Sequence, residues 1–360
     1  MNSLREVLAH FALEGEVAAI SPLGMGHIND TYLVGMQRAA PGYVLQRINH
    51  AVFRDVEALQ RNMLRVTQHL RAKLLERGEA EVERRVLTLV RTVEGNLYHR
   101  APDGSCWRLT LHIARSKSVD SMSPQLAYLA GQAFGDFQQL LADLPDPPLA
   151  EVIPDFHNVE VRLHTFRQAV RDDVAGRLCR RPGMVDEVER RAAEMCRAEQ
   201  LHREGKLPKR INHCDTKVNN LLFDEQDRVL CIVDLDTVMP AFVTSDFGDF
   251  MRTGANHGRE DDEDLSRVFF RMDIYEAYAR GYLQMAKKFL TSQEVELLPL
   301  GAKMLTYMHV VRFFTDYLHG DTYYKVRHPE HNLQRAEAQL KLLQSMEEHY
   351  GRMCQLITEL

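Results

Sequence analysis

A short segment in the second half of the chain carries the side chains that phosphoryl transfer needs. Asp215 is followed after two positions by Lys217 and after five positions by Asn220. In a kinase catalytic loop, an aspartate at this spacing meets the acceptor hydroxyl and the asparagine holds a magnesium ion. A lysine beside them can balance charge on the transferring phosphoryl group, because this chemistry depends mostly on positioning and electrostatics. The segment predicts a kinase with Asp215 and Lys217 as catalytic residues.

The residues around this segment supply a histidine and a second metal ligand. His213 completes a His-x-Asp pattern, and we expect it to orient the loop rather than to act as an acid or base. Apolar strands predicted at 218–223 and 229–234 would place Asp234 at a strand end beside the loop. Magnesium that bridges nucleotide phosphates takes one or two oxygen ligands from the protein, so Asn220 and Asp234 are the predicted ligands. The alternative to a metal site is an Asp-rich turn with helix-capping residues. That alternative explains neither Lys217 nor the two apolar strands.

Several carboxylates after this hairpin have predicted supporting roles. Asp236 could aid the metal or face outward from its turn, and both interpretations stay open. Asp246, and Asp249 in the same way, are predicted to brace the catalytic loop. The acidic run 259–264 could suggest a cation site, but it would stand at the start of a helix predicted at 261–285. Because the helix dipole favours acidic residues at an N-terminus, we expect no site there.

A glycine-containing turn near the start of the chain is a candidate phosphate loop. It follows the apolar run 17–20 and joins two predicted strands. Glycines let backbone N–H groups approach phosphate oxygens closely, although a plain β-turn would have the same composition. The turn precedes the segment with Asp215, Lys217 and Asn220 in the chain, and this order favours nucleotide binding. The nucleotide-binding candidates are Gly24, Gly26, His27 and Asn29 from the turn, with Gln46 and Arg47 from the strand predicted at 43–48.

A protein kinase would carry a lysine on that strand, paired with a glutamate on the next helix. Here the strand offers Gln46 and Arg47, and the helix is predicted at 52–75. Glu57 is the nearest candidate partner on this helix, but an exposed helical glutamate is the default interpretation. The residue that holds the α- and β-phosphates is therefore left open.

Six segments together carry a resemblance to a known family. They are Gly-His-Ile-Asn-Asp-Thr-Tyr at 26–32, Leu-Gln-Arg-Ile-Asn at 45–49, Asp-Thr-Lys-Val-Asn-Asn at 215–220, Val-Asp-Leu-Asp-Thr-Val-Met-Pro at 233–240, Asp-Phe-Gly-Asp at 246–249 and Arg-Phe-Phe-Thr-Asp-Tyr-Leu at 312–318. With these segments the chain resembles N-acetylhexosamine 1-kinases, which belong to the aminoglycoside phosphotransferase group of the protein-kinase-like fold. The resemblance implies ATP- and Mg²⁺-dependent transfer of the γ-phosphoryl group to the anomeric hydroxyl of N-acetylglucosamine or N-acetylgalactosamine. It also implies that Asp215 is the base, that Asn220 and Asp234 are the metal ligands, and that the turn 24–29 is the phosphate loop.

The acceptor site is predicted near the end of the helix at 294–318. Sugar recognition needs bidentate donors, carboxylate acceptors and an aromatic face. An amphipathic helix with its aromatic residues in the core is the alternative, and spacing alone favours it. The resemblance adds weight to the substrate-binding candidates, which are Arg312, Asp316, Tyr317 and Tyr324.

Length and order of elements predict an α+β fold with two lobes, and the resemblance implies that this fold is protein-kinase-like. A chain of 360 residues exceeds one comfortable core. Strand signals prevail up to about residue 113 and helical patterns afterwards, so we predict a small β-rich N-terminal lobe at 1–114 and a large, mainly helical C-terminal lobe at 115–360. Further helices are predicted at 123–143, 159–179, 184–204 and 331–358.

Composition narrows the function classes further. A formal charge of −6 is unlike the basic footprint of a nucleic-acid binder. No apolar run reaches the ~20 residues that span a bilayer, and the six cysteines form no Cys-x-x-Cys pair. We therefore expect a cytoplasmic protein that binds neither nucleic acid nor membranes. The resemblance implies a sugar and ATP as partners, with Mg²⁺, and both a monomer and a homodimer stay open.

Two other functions remain open at this point. A kinase of the same fold could act on another small hydroxyl compound, such as homoserine, choline or an aminoglycoside. A nucleotide-binding regulator without catalysis is the third possibility. It would have no need for Asp215, Lys217, Asn220 and Asp234 together, so the sequence favours an enzyme.

Overall fold

The computed structural model describes residues 2–24, 28–37, 41–119 and 121–360. The chain forms two compact units, each assembled from separate stretches of sequence. The first unit contains Met1–Ser118, Asp143–Pro154 and Leu221–Met239, and the second contains Val119–Ala142, Asp155–Asn220 and Pro240–Leu360.

The strands are β1 (Val17–Pro22), β2 (Asp30–Met36), β3 (Tyr43–Ile48), β4 (Leu89–Val90), β5 (His99–Arg100), β6 (Cys106–Leu111), β7 (Arg210–Asn212), β8 (Leu221–Phe223), β9 (Val229–Ile232) and β10 (Met239–Ala241). The helices are α1 (Asn2–Leu8), α2 (Val56–Glu76), α3 (Val82–Arg85), α4 (Pro124–Leu141), α5 (Val159–Asp172), α6 (Gly183–Met195), α7 (Arg197–Arg203), α8 (Val243–Gly254), α9 (Met272–Ala286), α10 (Ser292–Glu296), α11 (Leu298–Leu318) and α12 (His331–Glu359).

An antiparallel sheet organises the first unit, with strand order β1-β2-β3-β6-β4 and β5 paired to the far end of β6. In register, Gln46 on β3 lies opposite Arg108 on β6. Alternate residues such as Val34, Leu45 and Leu109 are fully buried, as period-two strands over a core require. The hairpin β8-β9 also belongs to this unit. The predicted β-rich N-terminal lobe is confirmed.

Helices build the second unit around α11, nearly all of whose residues are buried. Its close contact with α8 depends on glycine. A Cβ added to Gly248 would lie 2.1 Å from the carbonyl oxygen of Gly301. The two helix backbones therefore touch, and this contact fixes the two elements that carry Asp246 and Arg312. The predicted large helical lobe is confirmed, and the fold class is α+β and protein-kinase-like.

Local sequence signals place several element boundaries. β3 spans Tyr43–Ile48, as predicted. The helix predicted from residue 52 begins later, at Val56, because the Asp55 carboxylate accepts a hydrogen bond from the backbone N–H of Ala58 at 2.9 Å and caps it. The helix predicted at 159–179 ends at Asp172, where the next residue adopts a left-handed conformation.

Three other predicted helices also differ from the structure. The helix predicted at 261–285 begins only at Met272, so placing the acidic run 259–264 at a helix N-terminus was wrong. Within that run Asp262 is buried and accepts backbone hydrogen bonds, which closes a turn instead. The helices predicted at 184–204 and 294–318 are each interrupted, at Cys196 and Leu297. Apolar periodicity continues across both breaks and does not reveal them.

Candidate active site

A fully buried carboxylate on α8 fixes the backbone of residues 213–220, which we call the catalytic loop. Asp246 accepts hydrogen bonds from the backbone N–H groups of His213 at 2.8 Å and Cys214 at 2.7 Å. The Thr216 hydroxyl donates to the Asp246 carbonyl at 2.6 Å. Cys214 has a φ of 62°, a conformation that costs energy for a residue with a side chain. The hydrogen bonds to Asp246 hold this strained backbone in place. The bracing role predicted for Asp246 requires such contacts.

The His213 ring is enclosed by apolar neighbours. Its centroid lies 6.0 Å from that of Phe134 and 5.9 Å from that of Phe137. The backbone N–H of Asp215 donates to His213 Nδ1 at 3.3 Å. The side chain is completely buried, and its contacts suit the orienting role predicted for it.

Asp215 lies where the loop opens to solvent, with about a quarter of its side chain exposed. Lys217 Nζ donates to its Oδ2 at 2.7 Å, and Asn220 Nδ2 donates to the same oxygen at 3.0 Å. Burial would raise the pKa of Asp215, but the Lys217 ammonium and these hydrogen bonds hold that pKa below its ordinary value. The carboxylate is therefore ionised at neutral pH and can accept a proton.

Of the two predicted metal ligands, one lies in each unit. Asn220 directs its Nδ2 at Asp215, and its Oδ1 accepts no hydrogen bond from any residue that the structure describes. Amide and carboxylate oxygens are donors that Mg²⁺ accepts, so the donor set fits the ion. Asp234 has a φ of 60° and directly precedes a single 3₁₀ turn, Leu235–Thr237. Within the described ranges no group of three His, Cys, Asp or Glu side chains could hold a metal, and a site that also uses phosphate oxygens needs none.

A buried ion pair in the first unit was not anticipated from sequence. Arg108 on β6 is 1% exposed, and its guanidinium binds both carboxylate oxygens of Asp236, which is 3% exposed. Asn29 Nδ2 donates to Asp236 at 2.6 Å, and Gln46 Oε1 accepts from Arg108 Nε at 2.9 Å. Asp236 thus faces the interior rather than outward from its turn. An arginine in the middle of an apolar strand, opposite Gln46, was the signal that could have revealed it.

The remaining nucleotide-binding candidates have separate contacts. Arg47 is about half exposed and lies 3.9 Å from the Asp30 carboxylate. Gly24 has a φ of 70° and open space where a Cβ would stand, so its backbone can be approached closely. Gly26 and His27 lie outside the described residues. Glu57, the candidate helix partner, is exposed and lies 3.9 Å from Arg61 on its own helix.

Three aromatic rings in the second unit surround the guanidinium of Arg312. Its Cζ lies 5.2 Å from the ring centroid of Phe156, 5.8 Å from that of Tyr323 and 5.6 Å from that of Tyr324. Arg312 forms no hydrogen bond or ion pair with any residue that the structure describes, and it is only partly buried. Its donors are therefore available to an oxygen-bearing ligand.

Asp316 orders the segment that carries two of these rings. Its carboxylate accepts backbone hydrogen bonds from Thr322 at 2.9 Å, Tyr323 at 2.8 Å and Tyr324 at 3.0 Å, and it is 4% exposed. It acts on the predicted acceptor site by positioning the tyrosines. Tyr317 is fully buried, and its hydroxyl donates to Glu330 at 3.0 Å.

Polar atoms without a protein partner border Arg312. His157 Nδ1, Arg162 Nε and Tyr324 Oη are buried and form no hydrogen bond among the described residues. Burial, and then the charge of Arg312, lower the pKa of His157 to about 3, whereas Asp215 acts in the opposite direction. The same two causes lower the pKa of Arg162 to about 10. The charges of Arg312 and of Asp215, the predicted base, thus both act on this one imidazole.

A comparison with protein families decides the class of the protein. Residues 19–286, about three-quarters of the chain, match the phosphotransferase enzyme family. The chain belongs to this family. It is thus a phosphotransferase that acts on a hydroxyl group of a small molecule, and the predicted kinase activity is confirmed at that level.

Solved structures of low sequence identity share the fold. A choline/ethanolamine kinase family protein from Mesorhizobium loti is 17% identical, with a TM-score of 0.60 over 100% of this chain and 99% of that one. An aminoglycoside phosphotransferase from Alicyclobacillus acidocaldarius is 13% identical, with a TM-score of 0.62 over 99% and 96%. A spectinomycin phosphotransferase in complex with ADP and spectinomycin is 11% identical, with a TM-score of 0.60 over 98% of each chain. Among the described residues no helix is long and apolar enough to cross a membrane.

Proposed function

We propose that this phosphotransferase uses ATP to phosphorylate the anomeric hydroxyl of an N-acetylhexosamine, giving the sugar 1-phosphate. Residues 1–114 would bind the nucleotide and residues 115–360 would supply catalysis and the acceptor site. The observation that supports an uncharged, oxygen-rich acceptor is the Arg312 guanidinium, which three aromatic rings surround and no described carboxylate neutralises.

In the reaction, Asp215 orients the anomeric hydroxyl and takes its proton as the oxygen bonds to the γ-phosphorus. The bond between that phosphorus and the β,γ-bridging oxygen breaks, and ADP leaves. Lys217 stands 2.7 Å from Asp215, where its charge can offset that of the equatorial oxygens. Mg²⁺ held by Asn220 and Asp234 would neutralise phosphate charge when bound.

Nucleotide binding is assigned to the turn 24–29 and to β3. Gln46 replaces the strand lysine of protein kinases, and the buried Arg108, which lies opposite it on β6, binds Gln46 and Asp236. We infer that this network shapes the phosphate site, because it connects the phosphate turn through Asn29 to the segment that carries Asp234.

The acceptor residues argue against cationic substrates. Quaternary ammonium groups and aminoglycosides bind to aromatic faces or to free carboxylates. Here Arg312 already lies over the faces of three rings. The Asp316 carboxylate already accepts hydrogen bonds from three backbone N–H groups and from the side-chain amide of Asn332. An acetamido carbonyl could accept hydrogen bonds from Arg312 and use the donor capacity of Tyr324 Oη, which lacks a described partner.

Homoserine is the second candidate, because its carboxylate would also suit an unpaired arginine. A panel of acceptors distinguishes an N-acetylhexosamine kinase from a homoserine kinase.

Purified protein is incubated with ATP, Mg²⁺ and one acceptor at a time, and the products are followed by phosphorus NMR. The acceptors are N-acetylglucosamine, N-acetylgalactosamine, glucose, galactose, homoserine, choline and spectinomycin. We expect an anomeric phosphate from the N-acetylated sugars and much slower reaction of glucose and galactose, since a pocket that binds the acetamido group leaves polar groups unpaired without it. Turnover confined to homoserine, choline or spectinomycin would refute the proposal.

Replacement of Arg312 tests the acceptor site. Arg312→Ala is expected to raise the KM for the hexosamine by about ten- to a hundredfold, the effect of losing a charge-assisted hydrogen bond of roughly 1.5–3 kcal/mol. The KM for ATP should stay within a few-fold. Initial rates measured with one substrate varied at a time give both constants.

Arg171→Ala is the matched control, because Arg171 is exposed and, among the described residues, donates only to Gln168 on its own helix. It should leave both constants unchanged. Arg312→Lys keeps the positive charge over the rings but loses the planar pair of donors, so it should recover little of the lost affinity. A normal hexosamine KM in Arg312→Ala would remove Arg312 from the acceptor site.

A further inference from the structure

A second guanidinium borders the proposed acceptor site, and the proposed reaction gives it no role. Arg162 lies near the start of α5, and its Nη2 donates to the backbone carbonyls of Asp155 at 3.2 Å and Phe156 at 3.0 Å. The side chain is partly exposed, and no described carboxylate forms an ion pair with it. Arg162 therefore binds main-chain oxygens of the segment that precedes α5 instead of a charged partner.

The backbone of this segment is strained. Asp155 has a φ of 54°, in the left-handed region that costs energy for a residue with a side chain. The Asn158 amide donates to the Asp155 carboxylate at 3.0 Å, and Asn158 Oδ1 accepts from the backbone N–H of Val161 at 3.2 Å, which caps α5. Arg162 adds two more hydrogen bonds from the same helix. The conformation of the segment is thus fixed to α5.

Two rings of this segment form one side of the surroundings of Arg312. The Phe156 ring centroid lies 5.2 Å from the Cζ of Arg312, and the ring of His157 stacks on Phe156 with centroids 4.5 Å apart and an angle of 20° between the planes. On the other side, Asp316 holds the segment that carries the two tyrosines. Arg162 has the same relation to Phe156 that Asp316 has to the tyrosines.

The position of Arg162 is costly for the stability of the fold. Its Nε is enclosed and forms no hydrogen bond with a described residue, and a buried donor without a partner is destabilising. Burial, and then the like charge of Arg312, lower the pKa of Arg162 to about 10, so the two guanidiniums also repel each other. Proteins keep such local conflicts mainly at functional sites. This cost indicates that Arg162 serves the site.

We propose that Arg162 is a positioning residue of the acceptor site. It holds the segment 155–157 on α5 and so keeps the Phe156 ring against Arg312, which directs the Arg312 guanidinium at the acceptor. Arg162 itself does not touch the acceptor. This proposal rests on the proposed placement of the acceptor site at Arg312, but it does not depend on the identity of the acceptor.

Steady-state kinetics of full-length variants test this role, with the acceptor that the parent phosphorylates fastest. Arg162→Met removes both hydrogen bonds to the segment. We expect the KM for the acceptor to rise about tenfold, the scale of a lost hydrogen bond to a charged group, with kcat and the KM for ATP within a few-fold of the parent. Arg171→Met is the matched control on the same helix, because Arg171 is exposed, and it should leave all three constants unchanged.

A double-mutant cycle distinguishes positioning from direct contact. Phe156→Leu removes the ring and should raise the acceptor KM by a similar factor. If Arg162 acts through Phe156, the double variant should raise this KM no further than the larger of the two single effects. Additive effects would show that Arg162 acts independently of the ring and would overturn the proposal.

The conservative variant gives a further readout. Arg162→Lys should recover most of the affinity lost in Arg162→Met, because an ammonium can also donate to two carbonyl oxygens. Arg312→Lys should not recover its loss, since that role needs the planar pair of donors. An acceptor KM as high in Arg162→Lys as in Arg162→Met would contradict the positioning role.

The results also distinguish this proposal from the acceptor site itself. A normal acceptor KM in Arg162→Met, beside a raised one in Arg312→Ala, would overturn the role of Arg162 alone. A normal acceptor KM in Arg312→Ala would overturn the placement of the site and this role with it. A normal acceptor KM in Phe156→Leu would also overturn the role of Arg162, so the test does not depend on the folding of Arg162→Met.

Discussion

Asp215→Asn is expected to lower turnover by about two orders of magnitude or more, the scale of a lost general base. The substitution keeps the size of the side chain but removes both its charge and its ability to take a proton. It also removes the ion pair with Lys217, whose Nζ lies 2.7 Å from the carboxylate. The affinities for ATP and for the acceptor should change by no more than a few-fold, because neither depends on proton transfer. Steady-state rates and calorimetric titrations measure both effects.

The control for this change is Asp186→Asn, which alters an exposed aspartate in the first turn of α6. It should leave turnover unchanged. Near-normal turnover of Asp215→Asn would refute the catalytic assignment. A loose phosphoryl-transfer transition state needs a base only late, so a loss well below a hundredfold would instead indicate an orienting role.

The pH dependence of turnover provides a second check on Asp215. Its pKa is held below the ordinary carboxyl value, and the ionised form is the active one. Activity should therefore be lost only as the pH falls through that lowered value. Turnover is expected to stay constant from neutral pH down to about pH 5, since an ordinary aspartate has a pKa of about 3.9. In Asp215→Asn the residual rate should show no such acidic limb.

The sequence revealed the parts of the site that are local in the chain. The spacing of Asp215, Lys217 and Asn220 is set by one loop, and the structure brings these three side chains within hydrogen-bonding distance. The bracing role of Asp246 could also be predicted, because proteins of kinase-like fold carry an aspartate at the corresponding place after the catalytic loop. Short-range geometry depends on few residues, so a spacing pattern can predict it.

The ion pair of Arg108 with Asp236 could not be predicted in the same way. The two residues are 128 positions apart, and no local pattern relates them. The pairing follows from strand register, which places Gln46 opposite Arg108, and from the turn after β9. The same reason applies to Arg312, whose ring neighbour Phe156 comes from a distant segment. Long-range pairings depend on tertiary packing that residue types alone do not specify.

Arg108→Met is expected to destabilise the protein by about 3–5 kcal/mol, because it leaves the Asp236 carboxylate buried without its cation. Arg108 and Asp236 are 1% and 3% exposed, so water cannot replace the lost partner. Among the residues that the structure describes, only Asn29 would still donate to the carboxylate from its present position. Urea unfolding of the parent and the variant measures the difference.

The double variant Arg108→Met with Asp236→Leu separates stability from function. Replacing a buried ion pair by apolar residues of similar volume is often neutral, so most of the lost stability should return. Activity should not return, because Asn29 and Gln46 lose the groups that connect them to the turn beside Asp234. We expect a KM for ATP raised by about tenfold or more, the effect of losing a hydrogen bond to a charged group, and an unchanged acceptor KM. A double variant with the parent's stability and the parent's KM for ATP would show that the ion pair only stabilises the fold and has no part in shaping the nucleotide site.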